Sequence, residues 1–338
     1  MTVQRTPVYS IAISGRAILD LHALNNEGSE GNQLNTRQVY IVTGNGEPAR
    51  VNAISGDMLK HIQADHFRRL AQHYGLPLSQ GARIGNANRI NWDFVNSDEA
   101  KKAGDQKDPA LMDYIIRTCA LTDVAGILVT ANNKSTPRKS LVEFGWTVGL
   151  PDITKTESYL HTKYVADSGK EKKSGDGSNL GQNLFHRPAS SGVYAVVCHV
   201  EVARVAYNDI AQHYPDGLMD DAAQGDSRTR RAQALLESVL YTFLQLDGAH
   251  RNTQAPHMAG FEGVIAVSSG VMPAPAFSGL HPEYRTQLQR IADGLNKLHD
   301  AAITLYPFDS LGAFTEQMGS LIAAVQPYRL PEFGKGKR

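Results

Sequence analysis

Apolar and polar residues alternate from Val8 to Leu21. Tyr9, Ile11, Ile13, Ala17, Leu19 and Leu21 fall on one face, and Ser10, Ser14, Arg16, Asp20 and His22 on the other. A period of two predicts a strand buried on one side, with a polar open face on the other. A second strand, Arg37 to Thr43, turns at Gly44-Asn45-Gly46 and returns through Arg50 to Ile54, which predicts a hairpin. Ser55 is placed to cap a helix whose stripe is Leu59, Ile62, His66, Leu70 and Tyr74, with Met58 and Phe67 beside it.

From Gly75 to Asp123 the strand pattern stops. Polar loops, a charged stretch and one helical run after Pro109 (Leu111, Ile115, Cys119) mark an insertion. Val124 to Thr130 predicts a short buried strand, followed by the basic loop ANNKSTPRKS. Asp152 to Ser191 is loop-like; Lys170 to Lys173 and the glycines from Gly169 to Gly181 predict a mobile tip. Regular pattern then resumes with a valine-rich strand, Val193 to Tyr207. A helix capped by Ser227 follows, with Ala232, Leu235, Leu236, Val239, Leu240 and Phe243 on its stripe. Gly263 to Gly270 predicts a strand, Pro282 to Leu305 a helix and Gly312 to Val325 a terminal helix. Without the insertions the order is strand, hairpin, helix, strand, strand, helix, strand. That is the ferredoxin-like split βαβ unit, an α+β class whose RRM version binds single-stranded RNA on an open sheet face. Fold alone does not give function.

One stretch asks for more than a fold. Leu21 to Arg37, LHALNNEGSEGNQLNTR, is polar and long, and it buries little. Such a loop costs ordering entropy without adding to the core, so it is either functional or disordered, and its amides and hydroxyls suit a ligand. Phosphates, sugars and base edges suit them.

Composition narrows the options. A chain of 338 residues fits about two domains. Apolar content of 41% with 20% charge describes a soluble globular protein. Lys and Arg number 34 against 34 Asp and Glu, so the chain does not coat duplex DNA by bulk charge, although it can grip one strand locally. Basic residues cluster at Arg68-Arg69, Lys134 to Lys139, Lys170 to Lys173, Arg228 to Arg231 and in the GKGKR tail. Arg228, Arg230 and Arg231 have the wrong sign for a helix start, which hints that they serve a partner. Cys119 and Cys198 support neither a disulfide framework nor a zinc site. His61, His66 and His73 miss the i, i+4 spacing of a zincin helix, so no metal is expected. There is no Walker loop, no dinucleotide fingerprint and no other sign of a cofactor. The start of the chain lacks a signal-peptide pattern and no stretch could span a bilayer, so a cytoplasmic protein without membrane contact is expected.

Several runs resemble one family. LDLHALNNEGSEGNQLNTRQVYI, VNAISGDMLKHIQADH, RKSLVEFGWTVGLPD (Arg138 to Asp152), QNLFHRPASSGVYAV (Gln182 to Val196) and GAHRNTQAPH (Gly248 to His257) are similar, in order, to the DevR-like autoregulator family. Its members are the repeating backbone subunits of type I CRISPR Cascade complexes, here of the type I-B kind or a close relative. The resemblance implies a right hand: an RRM-like palm (1–74 and 192–338), a helical fingers insertion (75–150) and a β-hairpin thumb (151–191). It also implies the partners, namely CRISPR RNA, target DNA through the guide, further copies of the chain and other Cascade subunits.

RNA contacts are then expected from Arg16 on the open strand face, from His22, Asn25, Asn26, Asn32 and Arg37 in and around the loop, and from Ser55, Lys60 and His61 at the helix start. Arg138, Lys139, Arg187, Arg251 and Asn252 are further donors, and Leu184 and Phe185 are thumb residues that could wedge between bases. Related type III subunits cut RNA with a loop aspartate, so a metal-dependent ribonuclease using Asp20, Glu27 and Glu30 is the alternative. The non-catalytic scaffold is the better expectation, because no paired aspartate cluster is present. A transcriptional autoregulator is a third reading, without a helix-turn-helix pattern behind it.

Overall fold

The computed structural model describes residues 5–130, 134–164, 182–218, 228–248, 252–299 and 301–333. The alternating segment forms a short strand, β1 (Thr6–Val8), and a long one, β2 (Ser10–His22). Ile11, Ile13, Ala17 and Leu19 are buried, as their period requires. The polar face, however, is covered. Ser10 Oγ accepts the N–H of Ala274 (2.8 Å), Ser14 Oγ accepts that of Phe277 (3.1 Å), and Arg16 Nε donates to the Gly279 carbonyl (2.7 Å). Segment 273–281 lies across this face and satisfies its backbone on those side chains. The alternation also ends early: Leu21 has φ 54°, which turns its side chain out (50% exposed) and His22 in (1%).

The polar stretch after β2 is a hairpin rather than a loop, β3 (Asn26–Glu30) and β4 (Gln33–Thr36). β5 (Gln38–Val42) and β6 (Pro48–Ile54) pair around the expected turn. α1 (Gly56–His73) follows, with Ser55 Oγ accepting the N–H of Met58 as an N-cap. Residues 75–125 are more helical than expected. Around the predicted run α5 (Asp108–Thr118) stand α2 (Gln80–Arg83), α3 (Ile90–Asn96), α4 (Asp98–Gly104) and α6 (Ala120–Ala125). Helices this short show no 3.6-residue period, so their pattern reads as loop.

Val124 and Ala125 end α6, and only Ile127–Val129 is a strand, β7; it pairs with β8 (Thr136–Arg138) outside the main sheet. The place expected for it is taken by β9 (Val142–Phe144) and β10 (Thr147–Gly149). β11 (Lys155–Tyr164) and β12 (Gln182–Val200) then form a long hairpin. β12 runs from that hairpin straight into the sheet and ends at Val200, seven residues short of the expected Tyr207. The remaining elements are α7 (Arg228–Leu244), β13 (His257–Ser268), α8 (Tyr284–Leu298), β14 (Ile303–Phe308), α9 (Leu311–Ala324) and β15 (Val325–Pro327). The expected cap Ser227, the Lys170–Lys173 cluster and the basic tail lie outside the described residues.

The architecture is α+β. The sheet runs β14-β13-β2-β12-β10-β6-β5, and β13, β2, β12 and β10 are mutually antiparallel neighbours. α1, α7 and α9 bury their stripes on one face, where Phe67, Leu235, Phe261 and Phe314 share a core that α5 joins through Leu111 and Ile115. α8 covers part of the opposite face through Tyr284, Leu288 and Ala292.

A buried charge network ties the inserted helices to this core. Asp123, fully buried in the first turn of α6, accepts from Arg138 Nη2 (2.6 Å), Arg231 Nη1 (3.1 Å) and the N–H of Ala206 (3.0 Å). Arg138 also donates to the carbonyls of Asp123, Tyr207 and Arg204 and to Asp209 Oδ2. Its expected role at an RNA surface is therefore corrected: the side chain has no exposed atom to offer. Arg228 and Arg231 are likewise internal. Arg228 donates to the carbonyls of Val205, Pro327, Ala203 and Tyr328, which accounts for a positive charge at a helix start without an outside partner.

Candidate nucleic-acid interface

The start of α1 gathers most of the expected donors. Asn25 braces it: its Oδ1 accepts the N–H of Ser55 (2.8 Å), and its carbonyl accepts the N–H of Arg37 (2.9 Å) and the hydroxyl of Thr36 (3.0 Å). Asn52 holds the other side, donating to Thr36 Oγ1 and the Arg37 carbonyl while accepting from the Tyr194 hydroxyl. Asn25 is thus a structural brace. Beside it, both amide atoms of Asn26 are out of solvent without a partner. Gly56 lets the helix start press on the β9–β10 connection, since a Cβ there would stand 2.3 Å from the Phe144 carbonyl.

That contact places Trp146, missed in the sequence, next to the helix start. Trp146 is 45% exposed and Arg37 lies over its ring (5.5 Å to the centroid). Arg37 Nε also stands 2.8 Å from Glu27 Oε1, an ion pair on distance but too bent for a directed hydrogen bond. One turn into α1, Lys60 is half-buried; burial and then the Arg89 charge lower its pKa, against Asp57 and Glu143. His61 is exposed, and so is Lys139, which pairs with Glu143 (3.2 Å). A flat aromatic, a guanidinium, an ammonium and a helix N-terminus therefore share one strip, the set that stacks a base and holds a phosphate backbone.

A second group sits on the β11–β12 hairpin. Leu184 is 40% exposed. Phe185 is half-buried against His161 (centroids 5.8 Å, interplanar 17°), with Arg187 over its ring at 4.7 Å. Arg187 Nη1 donates to Thr253 Oγ1 (3.0 Å). A cleft of about 560 Å³ opens between the hairpin, Leu21, the loop that holds Asn252 and Gln254, and His257 at the start of β13. Asn32, at the β3–β4 turn, is exposed, and its carbonyl accepts the N–H of His186. Arg251 lies outside the described residues.

Residues 13–288 match the model of a family described as CRISPR-associated negative auto-regulator DevR/Csa2. The chain belongs to this family. Among solved structures, two chains titled CRISPR RNA-guided surveillance complex, one of them pre-nicking, share 14% and 12% identity with it, each at a TM-score of 0.47. They align with 93% and 92% of this chain and 99% of their own. Csc2 of Thermofilum pendens shares 10% identity at a TM-score of 0.36, over 94% of this chain and 87% of its own. No curated protein matches. The family assignment rests on the family model, and likenesses this distant add nothing to it.

In this DevR/Csa2 member, two further expected contacts are engaged within the chain, Arg16 half-buried and His22 fully buried. Arg16 is held by the Gly279 and His281 carbonyls and lies over Tyr284. His22 is buried edge-on to Tyr194, its Nδ1 accepting from the Leu24 N–H and its Nε2 without a partner. Burial pushes the His22 pKa down to about 4 from the usual 6.5. The unfolded chain then takes up this proton at higher pH than the folded one, so stability falls as pH drops through that window, by about 2–3 kcal/mol at pH 4.5. Urea melts at pH 7 and 4.5 should show this loss shrinking in His22→Phe; a loss of the same size would mean that His22 titrates normally.

The acidic side chains of the ribonuclease alternative are spread out. Asp20 is on β2, Glu27 and Glu30 are exposed on β3, and Glu27 faces Arg37. Among the described residues no three His, Cys, Asp or Glu side chains are placed to hold a metal ion, and no helix is long and apolar enough to cross a membrane.

Proposed function

We propose that this chain is a non-catalytic RNA-binding subunit that repeats along a CRISPR RNA in a type I Cascade surveillance complex. In that role it holds the guide strand for pairing with target DNA, beside other copies and other subunits. The observation that carries this reading is the strip at the start of α1, where Arg37, Trp146 and Lys60 meet the helix N-terminus. These groups suit a backbone and any base face, and none is built to discriminate one base from another.

Family membership and topology support the same reading. The antiparallel order β13-β2-β12-β10 with α1 and α7 on one face is compatible with the split βαβ arrangement that an RRM-like palm would have. Residues 75–150 would be its fingers and the β11–β12 hairpin its thumb. The usual RNA face of such a sheet is blocked here by segment 273–281 and α8, so the strand would cross the edge formed by the α1 start.

Filter binding with unrelated single-stranded RNAs of equal length tests this. Affinities should agree within about threefold and fall steeply with salt, with a slope of ~0.7 per phosphate held. Strong preference for one sequence, or tighter binding of duplex DNA, would sink the proposal. Robust Mg²⁺-dependent RNA cleavage that disappears on joint replacement of Asp20, Glu27 and Glu30 by Ala would favour the ribonuclease.

A further inference from the structure

The β3–β4 hairpin carries an acidic side chain into the strip at the start of α1. Asn26 pairs with Thr36 and Ser29 with Leu34, which leaves Glu27 and Gly28 together opposite Asn35. Two residues facing one make a β-bulge, and Gly28 takes it at φ 103°, a backbone that favours glycine. A bulge gives up regular pairing and re-aims the side chains of its strand. Here Glu27 Oε1 stands 2.8 Å from Arg37 Nε.

The two groups are paired by charge and not by a directed bond. Arg37 Nε is out of solvent, yet its N–H is too bent from the carboxylate for a hydrogen bond. The guanidinium also lies over the Trp146 ring, 5.5 Å from its centroid. One cation thus sits between a carboxylate and the aromatic face to which a base would be drawn. With 32% of the Arg37 side chain and 41% of the Glu27 side chain exposed, the pair is solvated and weak. A phosphodiester that met the fork head-on would accept two parallel N–H bonds, a contact that Nε and Oε1 do not make.

We propose that Glu27 stands in for an RNA phosphate in the free chain, and that binding exchanges its carboxylate for a phosphodiester on Arg37. Glu27 therefore opposes binding: it keeps the arginine paired, and over the ring, until a strand displaces it. This rests on the RNA-binding reading above and adds to the residues that favour the strand one that competes with it.

A double-mutant cycle on a short single-stranded RNA, read by fluorescence anisotropy at low salt, tests the exchange. Glu27→Gln should bind about two- to fivefold tighter than the wild type, the effect of one exposed pair. Arg37→Gln should bind about tenfold or more weakly, having lost a charge-assisted contact. Adding Glu27→Gln to Arg37→Gln should then change nothing, because no pair is left to break. Wild-type protein that binds no RNA would end the functional reading and the exchange with it. Wild-type binding that Glu27→Gln leaves unchanged or weakens would overturn the exchange alone. So would a gain of equal size in both backgrounds, which would mean that Glu27 repels the strand without competing for Arg37.

Discussion

Arg138→Ala should be among the most damaging single changes in the chain, and it should act on folding. The substitution leaves Asp123 buried with one of its two arginines gone, and it strips donors from the carbonyls of Tyr207 and Arg204. Breaking a buried ion pair on one side costs about 3–5 kcal/mol. Against a total stability of about 5–15 kcal/mol, that is enough to make most of the chain aggregate or unfold on mild heating. The neighbouring Lys139→Ala should move stability by no more than about 0.5 kcal/mol, because Lys139 is 64% exposed and its pairing with Glu143 is solvated. Urea melts of the two variants separate the roles. Asp123→Asn, which removes the carboxylate shared by Arg138 and Arg231 and turns an NH2 toward one of its donors, should cost at least as much as Arg138→Ala. An Arg138→Ala protein that melts with the wild type would mean that the network contributes nothing.

The adjacent pair Arg138-Lys139 also shows where sequence reasoning stops. A run of basic residues in a polar stretch looks the same whether it faces solvent or a buried carboxylate, because the deciding partner, Asp123, lies fifteen positions away. The same limit hid Arg228 and Arg231. Long periodic segments were legible: β2, the β5–β6 hairpin, the Ser55 cap of α1 and the stripe of α7 lie where their spacing predicts, whereas α8 ends at Leu298 and the expected helix end at Leu305 is part of β14. What spacing could not show is what covers a polar face. Ser10, Ser14 and Arg16 read as an open surface, yet they are used up by the backbone of residues 274, 277 and 279, more than 260 positions away. Nor does alternation foresee its own end. The positive φ at Leu21 exchanges Leu21 for His22 and turns an expected surface histidine into a buried one. Of the candidate site, the α1 start was legible, whereas the pattern of 152–191 reads as loop and only the family resemblance implied a hairpin where β11 and β12 pair. Trp146 carried only a weak signal, an aromatic between Gly145 and a short strand.

Trp146→Ala should weaken RNA binding by about 5- to 150-fold, the equivalent of ~1–3 kcal/mol for one lost base stack. Stability should change little, since the ring is 45% exposed with the Arg37 guanidinium over it. The variant also removes a reporter. The chain has 2 tryptophans, and of these Trp92 sits on α3 in the inserted helices, so stacking at the strip should quench Trp146 selectively. Titrating wild-type protein with a short RNA should lower the fluorescence, whereas Trp146→Phe should retain binding and lose most of the quench. The loss in Trp146→Ala should be the same per copy on a short oligonucleotide and on a long RNA, because the strip belongs to a single chain. Leu184→Ala provides the contrast. Leu184 is on the exposed hairpin, where a neighbouring copy on the same strand could meet it, so its loss should appear on long RNA, by native mass spectrometry, and hardly at all on short RNA. If Trp146→Ala binds short RNA like the wild type, the base does not stack at the α1 start, and the RNA path has to be sought along the cleft beside Leu21 and Asn252.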